Sequence, residues 1–169
     1  MITRFTLILF AALSLGACGF TPLHSPATSG ISAPLPNMAI EFTDTKANGA
    51  TGDKAEFLIH QALMARMGTG AKSPYSLTLS PTVSRGSIGI RSDDVASRYD
   101  LNLVINYVLT ETGSDKVIAK DSVRAVSTFN APNDPYGRIA AQDNAQKRAT
   151  MEAADRLVLK IAADLRRAQ

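Results

Sequence analysis

A chain of 169 residues with a formal net charge of +3 carries too weak a field to mark a nucleic-acid binder. Its single cysteine excludes an intrachain disulfide, and two histidines with that cysteine cannot build a zinc site. With 45% apolar residues the chain has enough to bury one core, and no second domain is required.

The chain opens with Arg4 and an apolar run over residues 5–15, about eleven residues against the roughly 20 of a membrane span. A positive start, a short greasy middle and small residues before a cut site form an export signal, here residues 1–17. Leu15-Gly16-Ala17-Cys18 resembles the lipobox of bacterial lipoproteins, which implies a thioether-linked diacylglycerol on Cys18. Two or more acyl chains anchor stably where one binds marginally, at about 0.8 kcal/mol per buried methylene. Gly19, rather than Asp, resembles the sorting signal for release to the outer membrane. Residues 18–37 hold Pro22, Pro26, Pro34 and Pro36 among Ser, Thr and Gly, the composition of an extended tether. His24 lies in this tether without a ligand-type neighbour.

The folded domain is expected over residues 38–169. Met38, Ile40 and Phe42 alternate as the buried side of a strand, and a polar loop follows. Asp53 and Glu56 fit a capping box for a helix over residues 54–67, which Gly68 and Gly70 end. Ala55, Leu58, Ala62 and Ala65 form its expected inner stripe, flanked by Ile59 and Leu63, and His60 falls on a different, solvated side. A second strand alternates from Tyr75 past Pro81 to Val83. Pro81 cannot donate to a ladder and suggests an edge position or a bulge. Residues 84–97 read as strand end plus loop, and the Asp93-Asp94 pair within them lacks the further oxygen ligands of a calcium site.

The strongest strand covers residues 99–110. Tyr99, Leu101, Leu103, Ile105, Tyr107 and Leu109 line its dry face, and Asp100, Asn102, Asn106 and Thr110 its wet one. Residues 113–116 make a turn into a partner strand over 117–129, with Val117, Ala119, Val123, Ala125 and Phe129 on one side. Asp134 can then cap, and Pro135 open, a helix running to near Arg167. Its ridge of Ala141, Ala145, Ala149, Ala153, Leu157, Ile161 and Leu165 goes from small to large. The order β-α-β-β-β-α predicts an α+β two-layer sandwich, two helices packed on one face of a four-stranded sheet.

Signatures of catalysis are missing: the chain has no Gly-x-Ser-x-Gly elbow and no phosphate-cradling Gly-Lys-Ser/Thr loop. No catalytic residue, metal or cofactor is expected beyond the lipid on Cys18. Arg85, Arg91 and Arg98 cluster around the loop before the strongest strand, and Lys116, Lys120 and Arg124 lie at or just past the hairpin turn. Antiparallel pairing would put these two basic patches at opposite ends of the sheet. Either can hold an anionic head group, because guanidinium pairs bidentately with phosphate, or be an ordinary solvated strand end.

Taken together, the chain resembles the LptE family of LPS-assembly lipoproteins, of the alphaproteobacterial type. The resemblance rests on Cys18-Gly19-Phe20-Thr21-Pro22-Leu23, Ala96-Ser97-Arg98-Tyr99-Asp100-Leu101, Ser127-Thr128-Phe129, and Asp134-Pro135-Tyr136 before the Ala-rich helix, in that order and spacing. His24 departs from it, standing where family members often have Tyr. The resemblance implies a non-enzymatic lipoprotein held by its anchor on the periplasmic side of the outer membrane. It implies LptD, an outer-membrane β-barrel, as partner: the lipoprotein helps the barrel fold, plugs its lumen in the lipopolysaccharide translocon, and binds lipopolysaccharide. No ligand residue carries over, so the basic positions above stand on their own chemistry. The alternatives are a stand-alone periplasmic lipid-binding or transporter-accessory lipoprotein, which needs an apolar cavity, and a lipid-anchored hydrolase, which needs a nucleophile and base near a histidine.

Overall fold

A computed structural model describes residues 35, 38–48, 52–67, 73–90, 96–114 and 116–168. The expected export segment, Cys18, His24, Gly68, Gly70, Arg91 and the Asp93-Asp94 pair lie outside them, as does the side chain of Asp53, on which the expected capping box rests. In chain order the elements are β1 (Met38–Phe42), β2 (Lys46–Asn48), α1 (Gly52–Met67), β3 (Tyr75–Ile90), β4 (Ala96–Glu111), β5 (Val117–Asn130) and α2 (Pro135–Ala168). The sheet runs β1-β3-β4-β5, with β2 also on β3. The two-layer α+β architecture is the one expected, and β2 is an added strand where a loop was read.

β1 and β2 pair parallel with β3, and α1 is the crossover that parallel pairing demands. β3-β4 and β4-β5 are antiparallel hairpins. β3 runs through Pro81 to Ile90, well past its expected end, and has neighbours on both flanks. Pro81 is tolerated there for a local reason. Thr43 N–H donates to the Leu79 carbonyl at 2.8 Å, so alternation turns the nitrogen of Pro81 to that same flank. Opposite it the edge is broken between β1 and β2, around Asp44 with its left-handed φ of 52°. The missing N–H falls in that gap, and no ladder bond is lost.

Leu77, Leu79 and Val83 on β3, Leu101 to Leu109 in alternate positions on β4, and Val123, Ala125 and Phe129 on β5 are buried beneath the helices. Val117, expected inward, is 56% exposed. The register slips between Leu109 and Thr110, so that Val117 pairs with outward Thr110 and the phase of β5 reverses at its start. On α1 the buried ridge is Ala55, Ile59, Leu63 and Met67, whereas Leu58 and Ala62 are only half-buried and Ala65 is exposed. The expected stripe was therefore rotated. α1 buries the larger flanking side chains because it lies against α2 as well as the sheet.

α2 buries its ridge as expected, from Ala145 through Leu165, with Ala141 half-buried. Its start is capped: Asp134 Oδ2 accepts from Gly137 N–H at 2.5 Å. A Cβ at position 137 would come within 3.0 Å of that oxygen, which is why glycine suits this turn. The helices run in the same direction, tied by Lys54–Asp143 at 2.6 Å and Arg66–Asp155 at 2.5 Å.

Candidate ligand and partner surfaces

With both helices on one face, alternation leaves the other face to solvent or a partner. β3 contributes Ser76, Thr78, Ser80, Thr82 and Ser84, β4 contributes Asn102, Val104, Asn106, Val108 and Thr110, and none of these is buried. In register across the strands, Thr82 meets Val104 and Arg124, and Thr78 meets Val108 and Lys120. The open face is thus a lawn of hydroxyls and amides with small valines and sparse cations. It has hydrogen-bonding capacity throughout but little apolar surface to drive binding by itself.

The basic residues sort by face as well as by end. Lys120 and Arg124 stand on the open face, where Arg124 Nη2 donates to Asn102 Oδ1 at 2.7 Å. Lys116 lies exposed at the turn before β5. At the far end Arg98 keeps the open-face phase of β4 and pairs with Asn130. Arg85 does the opposite. It keeps the inward phase of Val83, donates to Gln142 Oε1 of α2 at 2.6 Å, and lies 5.0 Å from the centre of the Tyr99 ring, which stacks on Phe129. The structure therefore brings Lys120 and Arg124 onto one surface and separates Arg85 from Arg98.

Polar contacts that pattern reading missed lie on α2. Tyr107 O–H donates to Asp164 Oδ2 at 2.5 Å inside the core, and Arg167 Nη1 lies 3.4 Å from the other oxygen. Burial, then the bond to Asp164, pushes the Tyr107 hydroxyl well above its ordinary pKa. Lys160 sits 2.6 Å from Asp121, and that hydrogen bond, with the Ser122 N–H, holds the Asp121 carboxyl below the usual range. Arg66 does the same for Asp155. The signal was present as cations at four-residue multiples, Arg148, Arg156 and Lys160, but what they reach depends on which strand is at the edge.

At the far end, α2 begins beyond the sheet's cover. Arg138, Ile139 and Ala140 are all exposed, as are Tyr136 and, on β3, Ile88. His60 packs its ring near Phe42, with centroids 6.4 Å apart. Among the described residues no three His, Cys, Asp or Glu side chains group as metal ligands would, and no helix is long and apolar enough to cross a membrane.

A family model described as lipopolysaccharide-assembly, LptE, matches residues 36–161. No curated protein matches the chain. Similar solved structures include a candidate lipoprotein from Caulobacter crescentus, 28% identical with a TM-score of 0.57, the match covering 77% of this chain and 92% of that one. Rare lipoprotein B from Shewanella oneidensis is 13% identical with a TM-score of 0.53, covering 75% of this chain and 94% of that one. A minor lipoprotein from Acinetobacter baumannii is 14% identical with a TM-score of 0.56, covering 77% and 92%. At the two lower identities the likeness is one of fold.

Proposed function

The chain belongs to the LptE family of lipopolysaccharide-assembly proteins, and from that premise we propose that it is a lipoprotein, anchored in the outer membrane through Cys18, that plugs the β-barrel LptD and binds lipopolysaccharide. The observation that carries this reading is the open sheet face. The interior of an outer-membrane barrel is polar, and a plug must offer it hydrogen-bonding groups over a broad surface while keeping its own core sealed. The rows Ser76 to Ser84 and Asn102 to Thr110 are such a surface, and both helices lie behind it. Such a protein acts by assembly rather than by catalysis. A carrier of free lipid would need an apolar interior reached from outside, whereas the space between sheet and helices is filled by Leu77, Leu79, Leu103, Ile105, Leu157 and Ile161.

Lys120 and Arg124 give the open face its positive charge, and Arg98 adds to it at the far end, so phosphate-bearing lipopolysaccharide is drawn to this side of the domain. Lys116, exposed at the turn before β5, adds charge at that end of the sheet. Co-purification from solubilised outer membranes tests the assembly role: a large barrel should accompany the protein in near-equal amounts, and recovery of the protein alone would overturn it. Cys18→Ser should abolish acylation by mass spectrometry and release the protein from the membrane. Lys120→Glu with Arg124→Glu should weaken lipopolysaccharide binding, and unchanged binding removes these residues from the site.

A further inference from the structure

β5 is the last strand of the sheet, so half of its backbone groups face away from β4, with no strand among the described residues to receive them. Three of the outward carbonyls are taken up by side chains of α2. Lys160 Nζ donates to the Ser122 carbonyl at 3.0 Å, Arg156 Nη1 to the Arg124 carbonyl, and Arg148 Nη2 to the Thr128 carbonyl at 3.3 Å. The Ser122 N–H is closed off separately, by Asp121 Oδ1 at 2.7 Å. The three cations lie on one helical ridge at multiples of four residues. Two are held by acids as well: Glu152 Oε1 receives Arg156 at 2.5 Å, and Asp121 lies 2.6 Å from Lys160. Cationic side chains normally extend into water. Here their heads are turned back along a strand edge.

We propose that this ridge of α2 is an edge guard that keeps β5 from pairing with the β5 of a second copy of the chain. The edge is suited to such pairing. An antiparallel match centred on Val126, which is 43% exposed, sets Val126 against its own copy and Arg124 against Thr128, so no like charges stand opposite one another. On the dry side the same register sets Val123 against Phe129 and Ala125 against Ser127. This is a closed two-fold arrangement, in which one patch is complementary to itself. Its backbone bonds need the outward carbonyls of Arg124 and Thr128, and those are the groups that Arg156 and Arg148 occupy.

The test compares the full chain with R148Q/R156Q/K160Q by size-exclusion chromatography with light scattering over a concentration series. The native chain should remain a monomer, while the triple variant, with an unchanged far-UV circular dichroism spectrum, should dimerise with an association constant raised about tenfold or more. Adding Val126→Pro should return the variant to monomer, because the nitrogen of residue 126 faces the free edge and proline there costs no bond to β4. A folded triple variant that stays monomeric overturns the proposal. So does a dimer that persists with Val126→Pro, or a native dimer that Val126→Pro dissociates. If the triple variant unfolds, R148Q/R156Q is measured instead, since it keeps the Lys160–Asp121 ion pair, and a monomer there also overturns the proposal.

Discussion

Leu103 and Val104 are neighbours on β4, yet Leu103 is sealed beneath two helices while Val104 is half-exposed between Thr82 and Arg124. Along the middle of β4 the strand's period of two alternates residues that stabilise the fold with residues available for recognition. Stability is therefore concentrated on one face, and the other can be polar without endangering it. The largest effect should follow from crossing that division. Leu103→Ala should cost about 2–5 kcal/mol in denaturant unfolding, by loss of burial and the cavity left behind. Thr82→Ala and Asn106→Ala should stay within about 0.5 kcal/mol of the native chain. Equal losses on both faces would break the comparison. Asn106→Glu sharpens it, because it should leave the unfolding midpoint in place yet lower the barrel recovered in co-purification.

Tyr107 is the polar exception on the dry face. Its hydroxyl is satisfied by Asp164, and Tyr107→Phe would leave a buried carboxylate facing carbon, at a cost of about 1–3 kcal/mol. The pair also makes stability depend on pH on the alkaline side. An unfolded tyrosine loses its proton near pH 10, whereas burial and the bond to Asp164 raise the folded value. The stabilisation is thus complete below about pH 10 and declines as pH climbs toward the folded value, since the unfolded chain ionises first. Thermal melts from pH 8 to 11 should show that decline in the native chain beyond what Tyr107→Phe shows. Parallel slopes would mean that lysines alone account for it.

How much of this was legible beforehand depended on how local the cause was. The β4-β5 hairpin and the α2 ridge were plain, because strict alternation and a ridge repeating every fourth residue leave one way to bury them. β2 was not, since Lys46–Asn48 has no alternation and exists because β3 offers a free flank. The inner stripe of α1 was misplaced because Ala, Leu and Ile surround that helix, and only its packing against α2 selects Ile59 and Met67 over Leu58 and Ala65. Val117 was placed inward because a slip in register leaves no mark in the residues of β5. For the surfaces, the basic residues were visible but their faces were not. Arg85 and Arg98 looked like one cluster until the phase of each strand separated them.

The start of α2 offers a smaller contrast within a single helix. From Ala145 onward the helix is held by its buried ridge, but Arg138, Ile139 and Ala140 are exposed all round, so the first turn depends on its cap. Asp134→Ala should cost about 1 kcal/mol and raise hydrogen exchange at Gly137, whose N–H loses its acceptor. Exchange from Ala149 onward should be unchanged, and a rise there would show that the cap and the core act as one unit.

A small effect should also come from the seam between the helices that faces water. Arg66 joins α1 to α2 through Asp155 at 2.5 Å, with a further bond to the Ala62 carbonyl at 2.8 Å, but the aspartate is mostly exposed and solvent screens the pair. Arg66→Met should cost no more than about 1 kcal/mol at neutral pH. Its signature is in acid. Hydrogen bonding to Arg66 lowers the carboxyl of Asp155 below its unfolded value near 3.9, so the folded chain binds that proton last. The contribution is present above pH 4 and disappears as pH falls through the lowered value. Unfolding measured from pH 6 to 2 should therefore bring the native chain and Arg66→Met together at the acid end. Curves that stay apart there would show that Arg66 stabilises through its methylenes against α2 rather than through its charge.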